Sequence, residues 1–319
     1  MINIVLYLIS AGLMAWLSIK ASVYVDLLDK KTNLSGAFIG GVMLSAVTSL
    51  PELFTSLTST VYLDKPGLCI GNILGSDLFN LTVLAFLMII FYKDFLKAKV
   101  AKSHMIISIF VIAIYLIMML NFKGVLVGGI EIGKYSISIV TLLIVILYIS
   151  GIKHMANDEN ETDDEDDSTL TVKQIVTRFI LVSIGIITVS IFATYFTDKI
   201  AIEFNLGAGI AGAIFLGVAT SLPELVSTAS LFKMKNYNIA IGNIIGSNIF
   251  NFFILSVADV CYFGEKSVYD YSDPKNINLL IFGLIASVLM LLGFKFKNKI
   301  TQVICPLAVI ACYVAFLLV

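Results

Sequence analysis

The hexapeptide TSLPEL occupies residues 48–53 and recurs unchanged at residues 220–225. Each copy places a glutamate, Glu52 or Glu224, beside a proline in an otherwise apolar run. A carboxylate at the centre of a membrane helix costs about 3 kcal/mol, and a proline inside a helix costs about as much. A second pair of motifs follows, "GNILGSDLFN" at 71–80 and "GNIIGSNIFN" at 242–251. A proline frees a carbonyl about one turn upstream, near Ser45 and Thr48 in one copy and near Gly217 and Thr220 in the other. The hydroxyls of Thr48, Ser49, Thr220 and Ser221 lie within about two turns of the glutamates. Ser76 and Asn80, like Ser247 and Asn251, are spaced four apart and share one helical face. The set is carboxylate, hydroxyl, amide and backbone carbonyl. Those are hard oxygen donors, the chemistry of Ca²⁺ and Na⁺ rather than of zinc, copper or a nucleotide.

Softer donors are missing from the pattern. The four cysteines, Cys69, Cys261, Cys305 and Cys312, form no CxxC pair and read as small packing residues. His104 and His154 fall near the ends of apolar segments, too far apart in the pattern for a histidine cluster. One Ser/Thr-rich span is packing glue, and one intramembrane proline is a kink. Two copies at matching positions, each with a glutamate, define a site. Asp77 has Asn248 as its counterpart and reads as a local cap or packing residue. Asp259, opposite Met88, reads as interfacial.

The elements that carry these residues must lie in a bilayer. The chain has 319 residues, 59% hydrophobic and 13% charged, against about 25% charged in a soluble globule. Apolar segments fall near 3–25, 35–60, 68–91, 103–121, 127–151, 174–196, 206–232, 239–262, 277–294 and 300–319. Each is long enough for one span of about 17–25 residues. The fifth is interrupted by "GGIEIGKYS". The first has no basic n-region and reads as a span, not as a signal peptide. Loops that follow odd-numbered spans hold fifteen of the twenty-one basic residues. The positive-inside rule therefore predicts odd loops in the cytoplasm and both termini outside.

The motifs also reveal a duplication. Their offset is 172 residues at the glutamates and 171 at the second motif. Five spans per half is an odd number, so the second copy lies upside down relative to the first, an inverted-topology repeat. The expected fold is all-α and integral to the membrane: ten transmembrane helices in two inverted five-helix repeats, 1–152 and 174–319, with broken helices at the midplane. The connecting segment, 153–173, contains "NDENETDDEDDST", with eight of the chain's twenty-two acids. It has no D-x-D-x-D-G spacing and reads as a solvated cytoplasmic linker, not an EF-hand loop.

The paired motifs strongly resemble the alpha-repeats of the cation/calcium antiporter superfamily, in particular the sodium/calcium exchangers. That resemblance implies alternating access around a central site for one Ca²⁺ and three Na⁺. It implies Glu52 and Glu224 as shared carboxylates, with Thr48 and Thr220 contributing backbone and hydroxyl oxygens. Ser49, Ser221, Ser76 and Ser247 match the outer Na⁺ positions, and Asn80 and Asn251 the middle of the site. It further implies that helices 1 and 6 slide against the rest. Two departures stand out. Asn251 occupies a position that is aspartate in many prokaryotic and potassium-dependent members, and Val47 and Ala219 stand where a glycine is usual. Neither repeat has the Asn-Ala motif of the proton/calcium branch.

These observations lead to an antiporter exchanging Na⁺ for Ca²⁺ in the plasma membrane, electrogenic, independent of K⁺ and functional as a monomer. The alternatives are H⁺/Ca²⁺ exchange with the glutamates as proton carriers, and a carboxylate-lined cation channel. No nucleophile–base pair, P-loop or metal-enzyme motif points to an enzyme, and nothing points to a cofactor or to nucleic acid.

Overall fold

The computed structural model describes residues 2–132, 135–158, 168–204, 220–263, 267–270, 274–296 and 298–318. Among them the architecture is almost wholly helical. In chain order come α1 (Ile2–Lys31), α2 (Gly36–Thr48), α3 (Leu50–Tyr62), α4 (Pro66–Ile90), α5 (Lys102–Phe122), α6 (Ile139–Ala156), α7 (Val172–Glu203), α8 (Leu222–Lys233), α9 (Tyr237–Cys261), α10 (Pro274–Lys295) and α11 (Thr301–Leu317). Seven of these are long and apolar enough to cross a membrane, and eight if the bent pair α2–α3 counts as one span. The first part of the expected seventh span, residues 206–219, lies outside the described residues.

Burial separates the central helices from the lipid-facing ones. In α4 and α9, 67% and 72% of the apolar window is buried inside the protein, against 22% in α1. The two most enclosed helices are therefore the ones that carry the Gly-Asn-…-Gly-Ser motifs. Helix α1 packs along α7 and against α8. Its inner stripe, Met14, Ala21, Val25 and Leu28, follows helical spacing, whereas Trp16 and Ile19 are exposed. Ser18 and Ser22 on the inner face donate to carbonyls one turn back, at 2.9 Å each. The Ser22 hydroxyl also reaches the Ser227 carbonyl of α8 at 3.1 Å. Such bonds keep hydroxyls satisfied where water is absent.

Pro51 and Pro223 do not sit in the middle of helices, unlike Pro306 in α11. The α2–α3 pair bends by 42°, and the turn falls at Ser49, whose φ and ψ are −91° and 6°. Ser221 has the same conformation, −90° and 4°, ahead of α8. Pro51 and Pro223 then fall in the first turn of the helix that restarts, where no backbone donor is required. The cost attached to a mid-helix proline is thus avoided, and a buried helix N-terminus is created at each position. The α2–α3 pair also contains two π-helical stretches, Ile39–Leu44 and Thr58–Tyr62.

Contact between the halves is closest where α2 crosses α9. A Cβ on Gly246 would lie 2.2 Å from the Gly41 carbonyl oxygen, and one on Gly40 would lie 2.2 Å from that of Ile239. Glycine is required there by proximity. The corresponding position in α4, Gly75, has no neighbour that close among the described residues.

Three expectations need correction. The fifth span does not begin near residue 127. A β-hairpin, Gly129–Ile132 with Tyr135–Ser138, precedes α6, so the fold is not purely α-helical. Gly124 and Gly128 have positive φ, 68° and 111°, and turn the chain before the hairpin. The Ser138 side chain then caps α6 by accepting from the Val140 amide. The sixth span is longer than 174–196, because the Thr171–Gln174 capping box starts α7 at Val172 and the helix runs on to Glu203. Asp259 is not interfacial: it is 2% exposed and accepts four hydrogen bonds. They come from the Ser138 and Val268 amides and the Thr141 and Ser267 hydroxyls, at 2.7–3.0 Å. The carboxylate pins the hairpin and the start of α6 to the end of α9.

Gly246→Ala is expected to force α2 and α9 apart and to destabilise the protein by about 1–3 kcal/mol, the usual range for overpacking. Gly293→Ala, whose added carbon would meet Cys305 Cβ at an ordinary 3.6 Å, serves as the control. Thermal unfolding of the two variants in detergent checks the difference.

Candidate functional site

Glu52 and Glu224 occupy equivalent places, the third residue of α3 and of α8. Both are 1% exposed. A carboxylate there interacts favourably with the positive end of the helix dipole, which offsets part of the cost of burial. The remaining compensation crosses between the halves. The Ser49 hydroxyl donates to Glu224 Oε1 at 2.8 Å, and the Ser221 hydroxyl to Glu52 Oε1 at 3.2 Å. Each serine at a break therefore serves the carboxylate of the opposite half. Ser76 of α4 adds a longer bond to Glu52 Oε1, 3.4 Å, and lies 3.3 Å from the Ser221 hydroxyl. Thr48 and Thr220 are buried in the same breaks. In each glutamate the second oxygen, Oε2, is buried without a hydrogen-bond partner among the described residues.

The next layer is built from amides. Asn80 donates to Asn248 Oδ1 at 3.1 Å, Asn248 to the Asp77 carbonyl at 3.1 Å, and Asn251 to Asp77 Oδ1 at 2.9 Å. These bonds link α4 to α9 and use the donor ends of Asn80 and Asn251. Their carbonyl oxygens, Asn80 Oδ1 and Asn251 Oδ1, are buried and without a partner among the described residues, as is the Ser247 hydroxyl. Ser247 does not bond Glu224 in the way that Ser76 bonds Glu52.

Two further pairs complete the arrangement. Asn243 donates at 3.0 Å to both Ser227 and Thr228, and accepts from Thr48 at 3.3 Å. Its counterpart Asn72 donates to Ser56 at 3.3 Å. Both amides tie the restarted helices α8 and α3 to the central helices. Their signal in the sequence was the asparagine repeated in both copies of the Gly-Asn motif. Asp77 is fully buried and bridges to Asn251 in the other half, so it is neither a local cap nor a simple packing residue.

An unpartnered carboxylate oxygen in a dry interior calls for a cation. The convergent donors are oxygens throughout. Among the described residues no three His, Cys, Asp or Glu side chains gather around one point. The glutamate pair with hydroxyl and amide oxygens fits Ca²⁺ or Na⁺ as substrate, and not a thiolate- or imidazole-bound metal.

A helical membrane protein built on broken helices with buried carboxylates belongs to the class of membrane transporters. Its sequence matches that of the sodium/calcium exchanger protein family over residues 3–152 and 175–319, and the chain belongs to that family. It is similar to an uncharacterised membrane protein of Methanocaldococcus jannaschii, MJ0091, with 29% identity over 221 residues, 68% of either chain. It is also similar to the sodium/calcium exchanger MaX1 of Methanosarcina acetivorans, with 25% identity over 71% of this chain and 73% of that one. Among solved structures, the sodium-calcium exchanger NCX_Mj has the same fold. The TM-score is 0.73 at 21% identity, over 99% of this chain and 98% of the other.

Glu52→Gln or Glu224→Gln is each expected to abolish Ca²⁺ exchange, because an amide leaves the divalent ion half-compensated in a low dielectric. Ca²⁺ flux in proteoliposomes measures this. Near-wild-type flux in either variant would remove that glutamate from the site.

Proposed function

We propose that the protein is a secondary antiporter that exchanges Na⁺ for Ca²⁺ by alternating access. The observation that carries this reading is the reciprocal pairing of Ser49 with Glu224 and Ser221 with Glu52, which leaves one buried oxygen on each glutamate without a partner among the described residues. Thr48, Thr220, Ser76, Ser247, Asn80 and Asn251 complete the ligand set, as hydroxyl, amide or backbone oxygens. The name of MaX1 and that of NCX_Mj support Na⁺ as the counter-ion.

The reading includes ten spans in two inverted five-helix repeats, 1–152 and 174–319, joined by the acidic linker 153–173. The matching conformations at Ser49 and Ser221 support it. The distribution of lysines supports a plasma-membrane orientation with the linker inside and both termini outside. Each protomer holds its own ligand set, so a monomer suffices.

The coupling is tested in proteoliposomes under an imposed Na⁺ or H⁺ gradient. Na⁺-driven, saturable Ca²⁺ counterflow is the expected result. Uptake driven only by the proton gradient would make the protein an H⁺/Ca²⁺ exchanger, and non-saturating flux without counter-ion would make it a channel.

Three Na⁺ in place of one Ca²⁺ changes the charge of the loaded site by one unit, so the exchange is electrogenic. A clamped potential of 100 mV is then expected to bias each cycle by about 2.3 kcal/mol per charge. Flux indifferent to voltage, where translocation limits the rate, would establish electroneutral exchange instead.

K⁺ has no role in this reading, because Asn80 and Asn251 offer oxygens without charge. Na⁺-driven Ca²⁺ uptake is expected to persist when K⁺ is replaced by choline at clamped voltage, and its loss would overturn K⁺ independence.

A further inference from the structure

The last two turns of α1 carry two acids where a helix disfavours them. Asp26 and Asp29 are buried close to the C-terminus of α1, the negative end of its dipole. Lys30 pairs with Asp26 at 3.1 Å. Further compensation comes from the turn between α8 and α9. One amide group, Asn236 Nδ2, donates to Asp26 Oδ1 at 3.1 Å and to Asp29 Oδ2 at 2.9 Å. The carbonyl oxygen of Asn236 meanwhile accepts from the Ile239 amide and caps α9. Asp29 also lies against the first residue of α2, since a Cβ on Gly36 would stand 3.3 Å from its Oδ1. The two acids of α1 are thus docked at the starts of α2 and α9, where positive helix ends favour them.

This end of α1 covers a route to the glutamates. Helix α8 runs from Glu224 to Lys233 and the turn that holds Asn236. Along it lie Ser22, Val25 and Leu28 of α1, all buried, with the Ser22 hydroxyl on the Ser227 carbonyl at 3.1 Å. The opposite end is fastened differently. There Asn3 of α1 donates to Glu203 at 2.9 Å, which ties α1 to α7 and not to the central helices. The turn before α4 has the same backbone form as the turn before α9, with positive φ at Asp64 and Lys235, 52° and 61°. Its N-cap, however, is Lys65, exposed and making no side-chain cap bond.

We propose that Asn236, Asp26 and Asp29 form a latch that holds α1 over α8 in this structure and releases once in each transport cycle. Asn236 is its positioning residue and touches no transported ion. Release is cheap, because the carboxylates and the amide exchange hydrogen bonds with each other for hydrogen bonds with water. The latch closes the end that the lysines assign to the cytoplasm, and the different N-cap before α4 makes it one-sided.

The inference rests on the alternating-access reading, so one test reads transport and another does not. In a background with the four cysteines replaced, Asp26→Cys/Asn236→Cys is joined by a short bifunctional methanethiosulfonate in proteoliposomes. Ca²⁺ flux is expected to fall below about a tenth of that of the unlinked pair and to return with dithiothreitol. The linked protein is expected to keep its Ca²⁺-dependent rise in unfolding midpoint, which separates a blocked cycle from a damaged site. In detergent, without ions, hydrogen–deuterium exchange of amides 24–33 is expected to speed up about tenfold in Asn236→Ala.

Near-full flux in the linked protein would make the contact a permanent tie and overturn the latch. Loss of flux in the unlinked pair would place both side chains in the permanent fold and overturn it too, as would unchanged deuterium exchange in Asn236→Ala. A wild type without counter-ion-driven Ca²⁺ flux, but with the Asn236-dependent exchange of amides 24–33, would count against the exchange reading and leave the latch standing.

Discussion

Two buried carboxylates, each held by a serine of the opposite half, are the constraint on which the rest of the structure depends. Ser49 bonds Glu224 and Ser221 bonds Glu52, so neither site is complete within its own half. For the serines to reach across, the backbone must turn just ahead of each glutamate. The backbone does so at Ser49 and Ser221 with matching dihedral angles, and the prolines begin the new helices instead of breaking old ones. The new helix N-termini then point their dipoles at the glutamates. The close crossing of α2 over α9, glycine against backbone, brings the first half near enough to the second for these bonds to form.

Compensation in the site is partial. Helix dipoles and one or two hydroxyl donors satisfy Oε1 of each glutamate, and Oε2 has no partner among the described residues. Asp259 provides the contrast within the same molecule: four donors on its two oxygens make it a structural clamp with nothing left to bind an ion. The difference between a structural and a transport carboxylate is thus visible in the number of donors around it, not in burial, which is nearly equal for the two kinds.

Much of the site was legible in the sequence because duplication wrote it twice. The repeated TSLPEL and Gly-Ser motifs identified the glutamates, the serines and the asparagines, and the structure brings Ser49, Glu52, Ser76, Ser221 and Glu224 together. Hydropathy also placed most of the helices, since exposure to lipid demands apolar residues. It could not anticipate the hairpin before α6, because isoleucines and a tyrosine serve a strand as well as a span. The roles of Asp77, Asp259, Asn72 and Asn243 were hidden for a different reason. Each depends on a partner outside its own helix, and periodicity along one helix carries no information about which side chain faces it. Asp77 was obscured further by asymmetry, since its counterpart Asn248 has no charge.

The central claim is that Glu52 and Glu224 jointly hold the transported cation across the interface of the two halves. An experimental structure of the wild-type protein in Ca²⁺, or in Sr²⁺ as an anomalous scatterer, tests it most directly. The account predicts one strong peak between the two glutamates, about 2.3–2.6 Å from an oxygen of each for Ca²⁺. A well-ordered structure at saturating ion with no peak there, or with the ion bound to only one glutamate, would contradict it.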